Sequence, residues 1–255
     1  MEHREIQEYW NTRATNDTSA QSTTNDIYLR EIEYRVLSNQ IEKHSPEKIA
    51  DIGCGDGRTT ARLATDYPDI LFSGFDYSQS MVENATKVNG ASKSSNLVFR
   101  PLDIIEGLPV SFDLIYTTRC LINLPSWPLQ QTAIKNIHKA LSPNGIFVMV
   151  ENFIEGHEKF NQVRRSSGLS EIPIREHNLF FARHLLLGFL KSLFELKEDI
   201  NISSTYYLVS RVVYSKICHE KGLQPDYFDD HHRLAAFLPF AGEFGPVRML
   251  CLKKR

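Results

Sequence analysis

The sequence predicts an α/β protein built on a mostly parallel sheet with helices on both faces. Two observations carry this expectation. Short apolar runs alternate with helical segments between residues 48 and 150, and a glycine-rich loop follows the first of those runs. Strands joined through helices pair in parallel, and a sheet covered on both faces reads as continuous apolar runs rather than as alternation.

The elements follow in order. Residues 11–25, NTRATNDTSAQSTTN, are polar and lack a hydrophobic period, which predicts a loop or mobile arm. A helix comes next, capped by Asn25 or Asp26, with Leu29, Ile32, Val36 and Ile41 on one face and a stop at Ser45-Pro46. The alternation then predicts strand 48–52, helix 57–66, strand 70–75, helix 78–88, strand 96–100, strand 112–117, helix 128–141 and strand 145–150, with a turn at Pro143-Asn144-Gly145. After Val150 the regularity breaks. Residues 151–181 read as an irregular, functional insertion. A helix at 182–194 and a strand at 195–202 restore the pattern. A second insertion, 204–245, holds helices over Tyr206–His219 and Asp230–Leu238, and a last strand runs over 246–253. The expected organisation is an N-terminal arm and helix over 1–45 and one domain over 46–255, with the two insertions forming a helical cap.

Composition narrows the function classes. The 255 residues are 42% apolar, enough for a substantial core. The formal charge of −2 with interspersed signs argues against a nucleic-acid polymer as substrate. The four cysteines, Cys54, Cys120, Cys218 and Cys251, are far apart, which fits a reducing cytoplasm rather than a disulfide framework or structural zinc. The start, MEHREIQEYW, lacks the apolar core of a secretory signal, and the apolar stretch His184–Leu196 is too short to span a bilayer. A soluble, cytoplasmic protein without a membrane span or a metal site is expected. The oligomeric state is left open, a homodimer being one arrangement.

The chemistry concentrates in IADIGCGDGRTT, residues 49–60. Gly53, Gly55 and Gly57 let the backbone turn sharply and approach a ligand. The dinucleotide fingerprint G-x-G-x-x-G requires glycine where this chain has Arg58, which disfavours a dehydrogenase. Asp51 and Asp56 bracket the loop. Carboxylates suit a ligand carrying an ammonium and a sulfonium better than a pyrophosphate, which points to S-adenosylmethionine. Ligands of open parallel sheets bind at the carboxyl ends of the strands. Those ends carry Asp76 after the second strand, Asp103 after the third, and Thr117, Thr118 and Arg119 after the fourth. Asp76 can accept from ribose hydroxyls, and Asp103 can hold the adenine edge.

These segments resemble the class I S-adenosylmethionine-dependent methyltransferases. IADIGCGDG is similar to their first motif, GFDYSQSMV to the second, RPLDI to the third, FDLIYTTRCLINLP to the fourth and ALSPNGIFVMVEN to the following strand. The resemblance implies a Rossmann-like seven-stranded sheet. It implies that Asp51 faces the methionine amino group, that Gly53 and Gly55 back the ligand, that Asp76 takes the ribose, that Asp103 takes the adenine above Met81, and that Cys54, Tyr77 and Ile104 also belong to the cofactor site. Thr117 joins this cofactor set. ENFIEGHEKFNQVRRSSGLSEIPIREHNLFF and YYLVSRVVYSK are similar to methyltransferases encoded with bacterial surface-polysaccharide enzymes. Many small-molecule members place a histidine before the Leu-Pro of the fourth motif, where this chain has Asn123.

A small-molecule or saccharide acceptor is expected in the insertions. A neutral hydroxyl needs a general base, whereas a phosphate or carboxylate needs only orientation. His177, beside Arg175 and Asn178, is the first candidate base, followed by His231 and His232. Arg119, Arg175 and Arg211 can clamp an anionic acceptor, and Tyr206 and Tyr207 can wall the pocket. Tyr9, Trp10, Tyr28 and Arg30 belong to an N-terminal segment that can close over the cofactor. The leading expectation is methyl transfer to an oxygen of a small or saccharide-linked acceptor. The alternatives are a phosphate, nucleotide-linked or amine acceptor, or a protein that binds the cofactor without catalysis.

Overall fold

The computed structural model describes residues 1–17, 19, 23–89, 94–108 and 110–255. Its centre is a seven-stranded sheet of β1 (Lys48–Ile52), β2 (Leu71–Asp76), β3 (Leu97–Pro101), β4 (Phe112–Thr118), β5 (Leu141–Asn152), β6 (Phe194–Asn201) and β7 (Val247–Lys254). The spatial order is β3-β2-β1-β4-β5-β7-β6. All pairings are parallel except those of β7, which runs antiparallel to both β5 and β6. The order reverses between β1 and β4, where Asp51 lies in register with Tyr116 and Ile52 with Thr117. That reversal opens a crevice at the carboxyl ends of the strands.

Neighbouring strand residues point to opposite faces, so each strand feeds two cores. Ala50, Ile115 and Phe147 pack with Ile134 and Ile137 of α5 (Trp127–Ala140) and Leu186 of α7 (Arg183–Leu190). Ile49, Leu114 and Val148 pack with Leu29 and Ile32 of α2 (Ile27–His44) and Leu63 of α3 (Arg58–Asp66). Helix α2 starts on Asp26, whose side chain accepts from the Leu29 N–H at 2.9 Å, and stops at Ser45 in the left-handed region (φ 46°).

Three expectations are corrected. Residues 11–16 are not a loop but the end of α1 (His3–Asn16), a helix begun by a reciprocal cap in which the Glu2 N–H donates to Glu5 Oε2 at 2.7 Å. Its polar surface masked it, because part of that surface bonds to the domain instead of to water. The part of the expected arm at 18 and 20–22 lies outside the described residues. Residues 151–181 are not irregular throughout. They hold α6 (Ile154–Ser166), which buries Phe160, Asn161 and Arg164, and only 167–182 run without a helix. The helix expected over Tyr206–His219 is α8 (Ser204–Tyr207), a π-helical stretch (Leu208–Val213) and α9 (Tyr214–Glu220). Helix α4 (Gln79–Asn89) packs against α1, and α10 (Asp230–Ala236) against α2.

Candidate functional site

One cavity of about 340 Å³ opens at the crevice between β1 and β4. Its first end is the glycine loop. Gly53 and Cys54 both donate their N–H to the Phe75 carbonyl, at 2.7 and 2.9 Å, which ties the loop to the end of β2. Gly53 has φ +77°, and a Cβ there would stand 2.3 Å from Cys120 Sγ. Gly55 has φ +53° and would meet only the tip of Thr23, at 2.8 Å. The loop is thus backed by packed protein at Gly53, and both glycines occupy a backbone region that side chains disfavour.

Carboxylates ring this end. Asp51 accepts from the Thr60 hydroxyl at 2.5 Å, and burial pushes its pKa up to about 7, helped by the nearby Asp76 and Asp56. Asp76 accepts from the N–H groups of Gly55 and Ser78, each at 2.9 Å, and burial pushes it up to about 6. Asp103 bonds to His3 Nε2 at 2.6 Å and accepts from the Ile105 N–H at 3.1 Å. Tyr77, Met81 and Ile104 line the same wall. Asp51 is held near its half-protonated point at neutral pH and Asp76 somewhat below it, and beside two such buried carboxyls a positive ligand gains strongly.

Thr117 is not on this wall. Strand alternation sends its side chain into the sheet beside Glu151, and the neighbouring Thr118 lines the cavity instead. Glu151 is fully buried and accepts from the N–H groups of Cys120, Leu121 and Ile122 at 3.1, 2.9 and 3.4 Å. Burial pushes its pKa up to about 7 against those bonds. It fixes the loop that begins at Arg119, a non-glycine residue with φ 50°.

The other end of the cavity is built by α2, α6, the 172–180 segment and the π-helical stretch. His177, 7% exposed, stacks on Tyr9 with ring centroids 4.6 Å apart and stands edge-on to Trp10 at 5.7 Å. Burial, then the charges of Arg175 and Arg13, lower its pKa, so the imidazole is neutral at pH 7. His157 also lines this end, but its ring engages Asn161 Nδ2 at 3.2 Å and the Ile172 backbone. Arg175 and Asn178 lie on the rim, Arg175 being exposed.

The expected anion clamp is altered. Arg119 faces the cavity but pairs with Glu33, Nε to Oε1 2.7 Å. Arg211 faces it but pairs with Asp26 and bonds to the Tyr227 hydroxyl at 3.1 Å. Tyr206 does not reach the cavity. It is 1% exposed, its hydroxyl bonds to Asp26 and, at 2.8 Å, to His232 Nδ1, and Tyr207 takes the wall position. The tyrosines follow one another on a helix, so only one can face the opening. His232 is buried with Tyr206, and His231 pairs with Asp229 at 2.6 Å away from the opening. Among the described residues no group of three His, Cys, Asp or Glu side chains is set to hold a metal ion.

Several cavity residues escaped the sequence reading: His3 of α1, Glu33 of α2, Phe160 of α6 and Tyr227. Glu33 carried a signal. It lies four residues after Leu29 on the apolar stripe of α2, where an unpaired carboxylate does not belong.

Residues 43–169, which contain the glycine loop and the acidic set, match the family described as Methyltransferase domain. A trans-aconitate 2-methyltransferase of Deinococcus radiodurans is 34% identical over 115 residues, 45% of this chain and 42% of that protein. A malonyl-[acyl-carrier protein] O-methyltransferase of Paenibacillus sp. is 29% identical over 139 residues, 51% of this chain and 49% of that protein. The chain spans about half the length of these curated relatives. The N-methyltransferase NodS from Bradyrhizobium japonicum WM9, solved with S-adenosyl-L-homocysteine, superposes with a TM-score of 0.61 over 98% of both chains at 15% identity, a likeness of fold.

Proposed function

We propose that the protein is an S-adenosylmethionine-dependent methyltransferase acting on an oxygen of a small or saccharide-linked acceptor. The observation that carries this reading is the juxtaposition, in one cavity, of the acidic glycine-loop end with a buried histidine that lines the other and whose pKa is lowered. The cofactor supplies a methyl group on a positively charged sulfur.

The chain's own residues do the rest. Asp51, buried and pushed up to about 7, gains charge when a cationic ligand arrives, whereas Asp76, pushed up to about 6, is already largely ionised at pH 7 and adds its negative field. Gly53 and Gly55 hold the positive-φ turn of the loop at the cavity, Gly53 packed against Cys120. His177 would take the proton of the acceptor hydroxyl as a bound cofactor gives up its methyl group to that oxygen. Tyr9 and Trp10 hold the imidazole from one side and exclude water there. Alignment of the oxygen opposite the departing sulfur supplies much of the rate.

The test is transfer of labelled methyl from S-adenosylmethionine into a fractionated extract containing nucleotide sugars and saccharide intermediates. Base-stable label in a saccharide fraction is the expected result. Label released by mild base marks a methyl ester and moves the acceptor to a carboxylate. No binding of S-adenosylhomocysteine by calorimetry removes the methyltransferase reading itself.

A further inference from the structure

The acceptor end of the cavity holds guanidinium groups that are already neutralised. Arg119 pairs with Glu33 at 2.7 Å, and Arg211 pairs with Asp26. Both carboxylates are buried, Glu33 at 1% exposure and Asp26 at 4%. The carboxylates come from α2 and its cap, the cations from the end of β4 and from the π-helical stretch, so each pair joins separate elements of the fold. Arg30, also on the wall, stands 3.3 Å from Asp56. Only Arg175 faces the opening without a carboxylate partner among the described residues, and it is exposed at the rim.

An anion entering this end must either draw a guanidinium away from a buried carboxylate or place a second negative charge beside that carboxylate, with one guanidinium to balance both. Breaking a buried pair is strongly unfavourable. Phe160, Phe180 and Tyr207 line the same end and offer no charge to repair the loss. An uncharged ligand rich in hydroxyls has no such conflict. Its oxygens accept from guanidinium N–H groups that the carboxylates leave over, its hydroxyls donate to spare carboxylate lone pairs, and aromatic faces cover its apolar side.

Resting on the methyltransferase reading above, we propose that the acceptor end takes an uncharged, hydroxyl-bearing group and excludes carboxylate and phosphate from its interior. The charge pairs then act as specificity-determining residues. They offer donors and acceptors together and reject a net charge.

The experiment titrates the full chain with inorganic phosphate by calorimetry, with and without saturating S-adenosylhomocysteine. The expected result is wild-type binding weaker than about 10 mM. In a folded Glu33→Gln variant, where Arg119 loses its partner, phosphate should bind at least about tenfold more tightly. The Glu33→Gln, Arg119→Gln double variant should return to exclusion. Wild-type binding that disappears with Arg175→Gln belongs to the rim and leaves the proposal standing. Wild-type binding tighter than about 1 mM that disappears with Arg119→Gln or Arg211→Gln overturns it, as does no gain in a Glu33→Gln protein that still unfolds cooperatively. If Glu33→Gln does not fold, the wild-type titration and the Arg211→Gln control decide. Loss of S-adenosylhomocysteine binding alone counts against the methyltransferase reading and not against the charge balance, which the cofactor-free titration reads separately.

Discussion

Trp10 donates its indole N–H to the side-chain oxygen of Asn123 at 3.1 Å. The bond joins α1 to the loop after β4, and the same ring stands edge-on to His177. Through it, the position before Leu124-Pro125 and the histidine of the 172–180 segment share one side-chain cluster. The structure therefore brings a histidine beside the fourth motif by tertiary contact, although the motif itself carries asparagine.

Replacing His177 by alanine should lower kcat by about 10²–10⁴-fold, the usual range for a lost general base, with S-adenosylhomocysteine affinity unchanged. Because burial and the neighbouring Arg175 and Arg13 lower its pKa, the acid limb of the wild-type rate profile should fall below the ordinary imidazole value of 6.5. An Arg175→Ala variant should move that limb upward, since a charge opposing protonation is gone. A pH–rate series on the three proteins checks this, and unchanged turnover in His177→Ala returns the acceptor to a group already ionised.

The buried carboxyls make the cofactor-free protein less stable as pH rises. Asp51, Asp76 and Glu151 sit at about 7, 6 and 7 in the fold, above ordinary values of 3.8 to 4.5. Between those limits the folded chain holds more protons than the unfolded one, so stability is greatest below the window and declines through it. Tm should drop between pH 5 and pH 7.5. Glu151→Gln should flatten part of that decline. A cationic cofactor favours the ionised carboxyls, so its affinity should rise from pH 6 to pH 8 with protons released on binding, measurable by calorimetry in buffers of different ionisation enthalpy.

Gly53→Ala should be severe and Gly55→Ala milder. At Gly53 the new methyl meets Cys120 Sγ and Cβ at 2.3 and 2.5 Å, whereas at Gly55 it meets the end of Thr23. Positive-φ backbone strain adds roughly 1–3 kcal/mol at either site. Denaturant unfolding together with S-adenosylhomocysteine binding separates loss of fold from loss of the ligand site.

Removing residues 1–16 should weaken S-adenosylhomocysteine binding by at least about tenfold and lower turnover further. His3 bonds to Asp103, Gln7 donates to the Tyr77 carbonyl at 2.7 Å, and Tyr9 stacks on His177, so α1 touches both ends of the cavity. Equal cofactor affinity in the truncated and full chains would remove α1 from the cofactor's closure.

The parallel core and the acidic glycine loop were legible in the chain because their signals are local. An apolar run of five residues, a glycine where φ must be positive, and an aspartate at a strand end each declare themselves within a few positions. Helix α1 was hidden since part of its polar surface is paired inside the protein, through Asn11 to Ser78 at 2.6 Å and Ala14 O to Asn84 at 2.7 Å. The arginines were visible as charges, but their partners lie 86 and 185 residues away, and only the fold pairs Arg119 with Glu33 and Arg211 with Asp26. By itself the sequence determined the sheet, the loop and the carboxylates at its edge, through periodicity and backbone sterics. The tertiary structure alone decided which of Tyr206 and Tyr207 faces the cavity, where Thr117 points and which cations remain uncompensated. Those outcomes depend on burial and on distances between elements, and burial sets how much a charge or an unpaired hydroxyl costs.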